Sequence, residues 1–207
     1  LGLAFSFKLQ FIFILPLYVI IYVCQKKYSI LNFLIIPLID IILSIPAMIA
    51  GKPFKECLMV YLNQTGTYKD SLTLNFFNIY NILNGTPEIF YKVGELLVLV
   101  VCLITLIYCL YKNVKWNNEK IITLGLWFLV VITFLLPGMH ERYLFVGEVL
   151  ALIYYVAYKK NLPIVIFIIF SPIITYSSFL FGLSFPYSQI MSIVYLVLII
   201  CFTKDTI

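Results

Sequence analysis

The sequence predicts an all-α polytopic membrane protein of about seven transmembrane helices, with one long extracytoplasmic loop that contains an amphipathic helix. Three observations predict it. Of the 207 residues, 63% are hydrophobic and only 11% charged, whereas a soluble domain is about half apolar and about a quarter charged; the mean hydropathy is +1.07. The apolar runs are continuous rather than alternating, which excludes a transmembrane barrel. Short lysine-bearing connections alternate along the chain with a second set of connections, the pattern of a chain that crosses a membrane repeatedly.

Seven runs approach the ~20 apolar residues that a spanning helix needs. They are 3–24, 30–50, 93–111, 121–137, 144–158, 162–183 and 188–202. The chain opens inside the first run, with neither a charged n-region nor a small-residue cleavage site, so that run is not a signal peptide. The expectation is one transmembrane domain over 1–207, a fragment that lacks further N-terminal helices. The second run carries Asp40 between Pro37 and Pro46, and the sixth carries Pro163 and Pro172. Such prolines kink helices and release backbone groups. The fifth run is short.

Lys26 and Lys27, then Lys112, Lys115 and Lys120, then Lys159 and Lys160, then Lys204 fall on one set of connections. The other set is the segment 51–92, the His140–Arg142 turn and the 185–187 turn. Lysine-rich short loops stay cytoplasmic, which orients the chain as an integral, multi-pass membrane protein with a cytoplasmic C-terminus. Segment 51–92 is then extracytoplasmic. Within it Phe54, Cys57, Leu58, Tyr61 and Leu62 recur at helical spacing after Pro53, which predicts an interfacial amphipathic helix ended near Gly66. Two tripeptides, at Asn63 and Asn84, match the glycosylation acceptor pattern.

The five cysteines form no disulfide framework. Phosphate-binding glycine loops, His-Glu-x-x-His, Cys-x-x-Cys and Gly-x-Ser-x-Gly patterns do not occur in the sequence, leaving nucleotide-driven chemistry, zinc proteolysis and serine hydrolysis unsupported.

Chemistry concentrates in two places. The only His and the only Arg of the chain stand either side of Glu141, in His140-Glu141-Arg142-Tyr143 between two apolar runs. Arg142 has the planar fork that grips a phosphate, His140 can donate to one or relay a proton, and Glu141 can orient either or act as a base. The plainer account is a salt-bridged interfacial turn. Lys8 and Gln10 sit in the first run, where ionisable groups face polar cavities or snorkel to headgroups. Asp40 reads as a packed group bonded to a neighbouring helix. Glu95 and Glu148 lie near helix starts, where the dipole favours an acid. A divalent metal is compatible with a phosphate ligand, but one His and one Glu would need further ligands from elsewhere; no cofactor is otherwise implied.

Three stretches carry a resemblance. Phe7-Lys8-Leu9-Gln10 with Ile14-Leu15-Pro16, the segment Tyr61-Leu62-Asn63-Gln64 with Leu72-Thr73-Leu74-Asn75 and Asn78-Ile79-Tyr80, and Leu136-Pro137-Gly138-Met139-His140-Glu141-Arg142-Tyr143 together resemble bacterial mannosyltransferase-like membrane proteins. These are related to the second mannosyltransferase of GPI-anchor synthesis, within the GT-C superfamily. The resemblance implies a GT-C-like fold and transfer of mannose or another hexose from a polyprenyl-phosphate donor to a glycan or lipid acceptor at the outer face. It implies membrane lipids, and no nucleic acid, as partners. It also assigns Lys8, His140 and Arg142 to the donor phosphate, and Gln10, Asn75, Asn78 and Tyr80 to donor or acceptor hydroxyls. The superfamily's catalytic acid belongs to a first outer loop that would lie upstream, so the fragment alone is expected to be inactive; Glu141 is the weak candidate within it. The alternatives are a transporter or flippase for a lipid-linked or anionic solute, and a non-catalytic membrane subunit.

Overall fold

The structure is a computed structural model that describes residues 1–60, 63, 70–83, 85–182 and 187–207, the side chains of 178 and 179 excepted. The chain divides into two compact units, Leu1–Lys69 and Asp70–Ile207.

The first unit opens with α1 (Gly2–Phe7), a 3-10 turn over Leu9–Ile14 and α2 (Leu15–Gln25). The single helix expected over 3–24 is therefore interrupted. Lys8 closes α1 in an extended conformation, φ −157° and ψ 119°. Pro16 occupies the first turn of α2, where its missing N–H costs nothing; inside a longer helix it would remove a bond and clash. A second 3-10 turn, Ile30–Leu34, is capped by Ser29, whose Oγ accepts from Leu31 N at 3.2 Å. It leads into α3 (Ile35–Ile49), which packs on α1 and carries Pro46 in its interior. Asp40 is half-exposed on α3. The short α4 (Phe54–Leu58) follows Pro53, with Cys57 buried and Phe54 outward. The helix ends at its C-cap Met59, short of the expected Leu62; residues 61 and 62, the stop at Gly66 and Asn84 lie outside the described residues.

The second unit holds β1 (Thr73–Leu74), a 3-10 turn at Ile79–Asn81, α5 (Pro87–Tyr111) and α6 (Asn118–Leu135). Then come β2 (Met139–His140), a 3-10 turn at Glu141–Leu144, α7 (Phe145–Tyr158), α8 (Leu162–Phe181) and α9 (Ser188–Thr206). Pro87 and Pro163 stand in the first turns of their helices. Asn117 caps α6, its Oδ1 accepting from Lys120 N at 2.7 Å. The core is α6, buried without interruption over 123–134 and packed on α5, α7 and α9. A helix apolar on every side is an inner helix. Most of α5, by contrast, faces outward.

Among the described residues, four helices are long and apolar enough to cross a membrane: Ile30–Ile49, Pro87–Tyr111, Asn118–Leu135 and Ser188–Thr206. The chain is an all-α membrane protein. Leu9–Gln25 and Leu162–Ser177 are apolar but shorter. With 14 residues, α7 is ~21 Å long at 1.5 Å per residue, under the ~30 Å of a hydrocarbon core.

In the second unit the lysine connections gather at one end. Lys160 Nζ lies 2.5 Å from Glu119 Oε1, Lys120 Nζ donates to the Thr206 carbonyl, and the Tyr108 hydroxyl donates to the Ile207 carbonyl. The segment 70–83 and the turn 136–144 lie at the other end.

Candidate functional site

The turn between α6 and α7 begins where the helix cannot continue. Pro137 has no N–H to offer, and Gly138 takes the left-handed φ of +65°. A Cβ there would collide with the Tyr91 hydroxyl and come within 3.6 Å of the Ser71 carbonyl, so this position is glycine for two reasons. Gly138 N donates to Leu72 O at 2.9 Å. From that bond the chain zips up: Thr73 pairs with Met139 and Leu74 with His140 in parallel. A further bridge joins Asn75 to His140. Asn75 adopts φ +57°, which Asn tolerates better than other side chains.

Behind this pairing are two struts. Asn78 is wholly buried. Its Nδ2 donates to Leu72 O at 3.2 Å, and its Oδ1 accepts from Tyr80 N at 3.1 Å and Asn81 Nδ2 at 3.4 Å. Tyr80 donates from its hydroxyl to Leu135 O at 2.7 Å, one of the carbonyls orphaned at the end of α6. Burial, with Tyr91 nearby, pushes the Tyr80 phenol up to about 12. A Cβ at Gly94 would strike that hydroxyl and, at 2.8 Å, Pro137 Cδ, so the glycine lets α5 close on the turn.

The polar groups of the turn sit on this base. His140 Nδ1 stands 3.8 Å from Glu141 Oε2, an electrostatic contact longer than a hydrogen bond, and the His140 ring meets Tyr143 edge-on at 5.1 Å. Burial lowers the His140 pKa below its usual 6.5, the Arg142 charge lowers it further, and Glu141 opposes both. The imidazole is therefore neutral at pH 7. Glu141 is buried, and Arg142, next in the chain, is exposed. Tyr176 on α8 lies within electrostatic reach of Glu141, Glu148 and Arg142.

Beside the turn is a cavity of about 260 Å³ lined by residues of the 73–81 segment, Thr175 of α8 and Ser188 of α9. Asn75 lines this cavity while its backbone is bridged to His140. Among the described residues no group of three or more His, Cys, Asp or Glu could hold a metal ion.

Of the residues picked out from the sequence, Asn75, His140, Glu141 and Arg142 come together at one end of the second unit, on a base that contains Asn78 and Tyr80. The last two spend their polar atoms on the protein itself. Lys8, exposed, and Gln10, half-buried, belong to the first unit, at the break after α1. Sequence reasoning missed Tyr176, Thr175, Ser188, Thr73 and Asn81. The run Ser171–Ser177, unusually rich in hydroxyls for a spanning helix, was the available signal for the α8 residues.

No known protein family, curated protein or solved structure matches the chain.

Proposed function

We propose that the protein is a membrane glycosyltransferase taking mannose or another hexose from a polyprenyl-phosphate donor at the extracytoplasmic face of a bacterial plasma membrane. The observation that carries the reading is the pairing of 73–75 with 139–140. It fastens the Asn75 backbone to that of His140, which is followed directly in the chain by Glu141 and Arg142. In this reading Arg142 neutralises the phosphate that leaves as the glycosidic bond breaks. His140, neutral at working pH, donates a hydrogen bond to the same group, and buried Glu141 orients the ring. Asn75 meets sugar hydroxyls, while Asn78 and Tyr80 hold the loop that presents it. The acceptor is a glycan or lipid hydroxyl.

The topology of this reading has seven crossings, the regions of α2 and α7 included, with the C-terminus in the cytoplasm. The gathering of lysines at the end of the second unit opposite His140 supports it. The resemblance in Leu136–Tyr143 and in the Lys8 and Asn75 stretches supports the same assignment.

The test uses the full-length protein in proteoliposomes with polyprenyl-phosphate mannose. Losing one charge-assisted bond in the transition state lowers kcat/KM by about 10- to 100-fold, so Arg142→Ala should fall in that range, and Arg142→Lys should recover only part because the fork is lost. Undiminished turnover in both Arg142→Ala and Lys8→Ala removes the assignment.

A further inference from the structure

The cavity beside His140 has a chemistry of its own. Three of its polar side chains spend their donors on the protein. Thr73 Oγ1 donates to Phe76 O at 2.7 Å. Thr175 Oγ1 donates to Pro172 O at 3.0 Å and Ser171 O at 3.4 Å. Asn81 Nδ2 donates to Phe76 O at 2.7 Å. What these three side chains keep for a visitor is oxygen lone pairs. Asn75 and Ser188 keep N–H and O–H donors as well, but among the described residues the lining contains no Lys, Arg, Asp or Glu, so a phosphate or carboxylate meets no opposite charge here. A ligand made of hydroxyls brings donors and fits.

The remaining walls are aromatic. Phe76 and Phe77 line the same space and are themselves buried. Phe76 leans on Tyr195 at 6.3 Å and Phe77 on Phe167 at 6.4 Å, with Phe167 and Tyr195 stacked at 4.6 Å. That backing makes a stiff apolar platform for the C–H face of a ring, beneath a polar rim. At about 260 Å³ the space is below the roughly 300–1,000 Å³ of drug-sized pockets, which suits a single ring.

We infer that this cavity is a subsite for one neutral hexose ring, recognised by Thr73, Asn81 and Thr175 as acceptors and by Asn75 and Ser188 as donors or acceptors, over the Phe76–Phe77 platform. It deepens the glycosyltransferase reading and rests on that reading for the ring's being part of the donor. Asn75 is then the hinge between two recognition tasks. Its side chain belongs to the neutral subsite, and its backbone is fastened to the residue that starts the anion-gripping turn.

The experiment is saturation-transfer NMR on the full-length protein in nanodiscs. The probes are methyl α-mannopyranoside, the corresponding methyl uronide, and inorganic phosphate followed by ³¹P line broadening. The hexoside should show transfer and the uronide should not. Ser188→Phe, which fills the space, should abolish the hexoside signal. Thr175→Val should weaken binding about tenfold, the loss of one hydrogen bond; because the Thr175 bonds are internal to α8, the helix survives this change even if Ser188→Phe misfolds. Phosphate broadening should depend on Arg142 and not on Ser188 or Thr175. A hexoside signal untouched by both cavity variants overturns the subsite, as does a uronide that binds as well as the hexoside. If that happens while Arg142→Ala still abolishes sugar transfer, the subsite falls and the enzyme reading stands. If the cavity variants behave as expected but Arg142→Ala and Lys8→Ala leave transfer intact, the subsite stands and the donor-phosphate assignment falls.

Discussion

At one end of the second unit, side chains reach across to chain carbonyls and to each other: Lys160 to Glu119, Lys120 to Thr206, Tyr108 to Ile207. At the other end the backbone itself does the joining, through β1 and β2, and buried Asn78 and Tyr80 lock the result from behind. Contacts of the first kind involve long, partly solvated side chains, whose ion pairs are weak and screened by salt. Contacts of the second kind are short, directional and dry, and they fix the positions of attached groups closely. The lesson is that the lysine end is tethered while the His140 end is positioned. Only the second is a sound base for recognition chemistry.

The comparison can be broken most severely at Gly138. Gly138→Val forces a β-branched residue into a left-handed φ and into the Tyr91 hydroxyl. A cost of about 3 kcal/mol or more is expected from strain and overlap together. Thermal unfolding in detergent should show it, accompanied by proteolytic nicking in 70–86; an unchanged melt would mean the pairing is dispensable.

Next is Asn78→Ala, which strips three hydrogen bonds from a fully buried site and leaves the Leu72 carbonyl and Tyr80 N–H with one partner fewer. About 2–3 kcal/mol is expected. Tyr80→Phe, losing one bond to the end of α6, should cost about 1 kcal/mol. Melting of the two variants side by side checks the order.

A smaller effect is the pH dependence of His140. Its folded pKa lies below the ordinary 6.5, so between the two values the unfolded chain binds the extra proton. Stability therefore rises with pH through that window: the contribution is present in full above 6.5 and is lost as pH falls through the lowered value. His140→Gln should flatten this slope in melts run from pH 7.5 down to pH 5. A slope of equal size in the variant would place its origin elsewhere.

Smallest is Glu119→Gln at the lysine end. The Glu119 partnership raises the Lys160 pKa, but the pair is exposed, and its removal should leave the melting temperature within error in 0.5 M salt. A large loss there would erase the contrast between the ends.

Much of the fold was legible because apolar length is a strong signal. The runs at 93–111, 121–137 and 188–202 lie within α5, α6 and α9 apart from the last two residues of the second, and the lysine-bearing connections of the second unit collect at one end, with Lys92 beside Glu88 at the other. The break after α1 was less legible, since hydropathy reads through Lys8 and only Pro16 argues for a fresh helix start. A two-residue strand has no period to detect, so nothing in Thr73-Leu74 announced its partner 66 residues later in Met139-His140. The resemblance assigns Asn78 and Tyr80 to sugar hydroxyls, but a sequence does not say whether a polar side chain faces a ligand or its own backbone. Thr175 and Ser188 join Asn75 only through the packing of α8 and α9 in the second unit.

The shortness of α7 has a mechanical consequence. Phe145, Val149, Leu152, Ile153 and Val156 point outward along it, so in the proposed seven-crossing topology lipid tails lie against an apolar stripe of only ~21 Å. Acyl chains there shorten to match, and the bilayer surface dips toward the turn at the helix start. Membranes of longer-chain lipids would resist that dimple; under the proposed function this raises the energy a carrier headgroup needs to reach Arg142, and transfer should slow as the acyl chains lengthen.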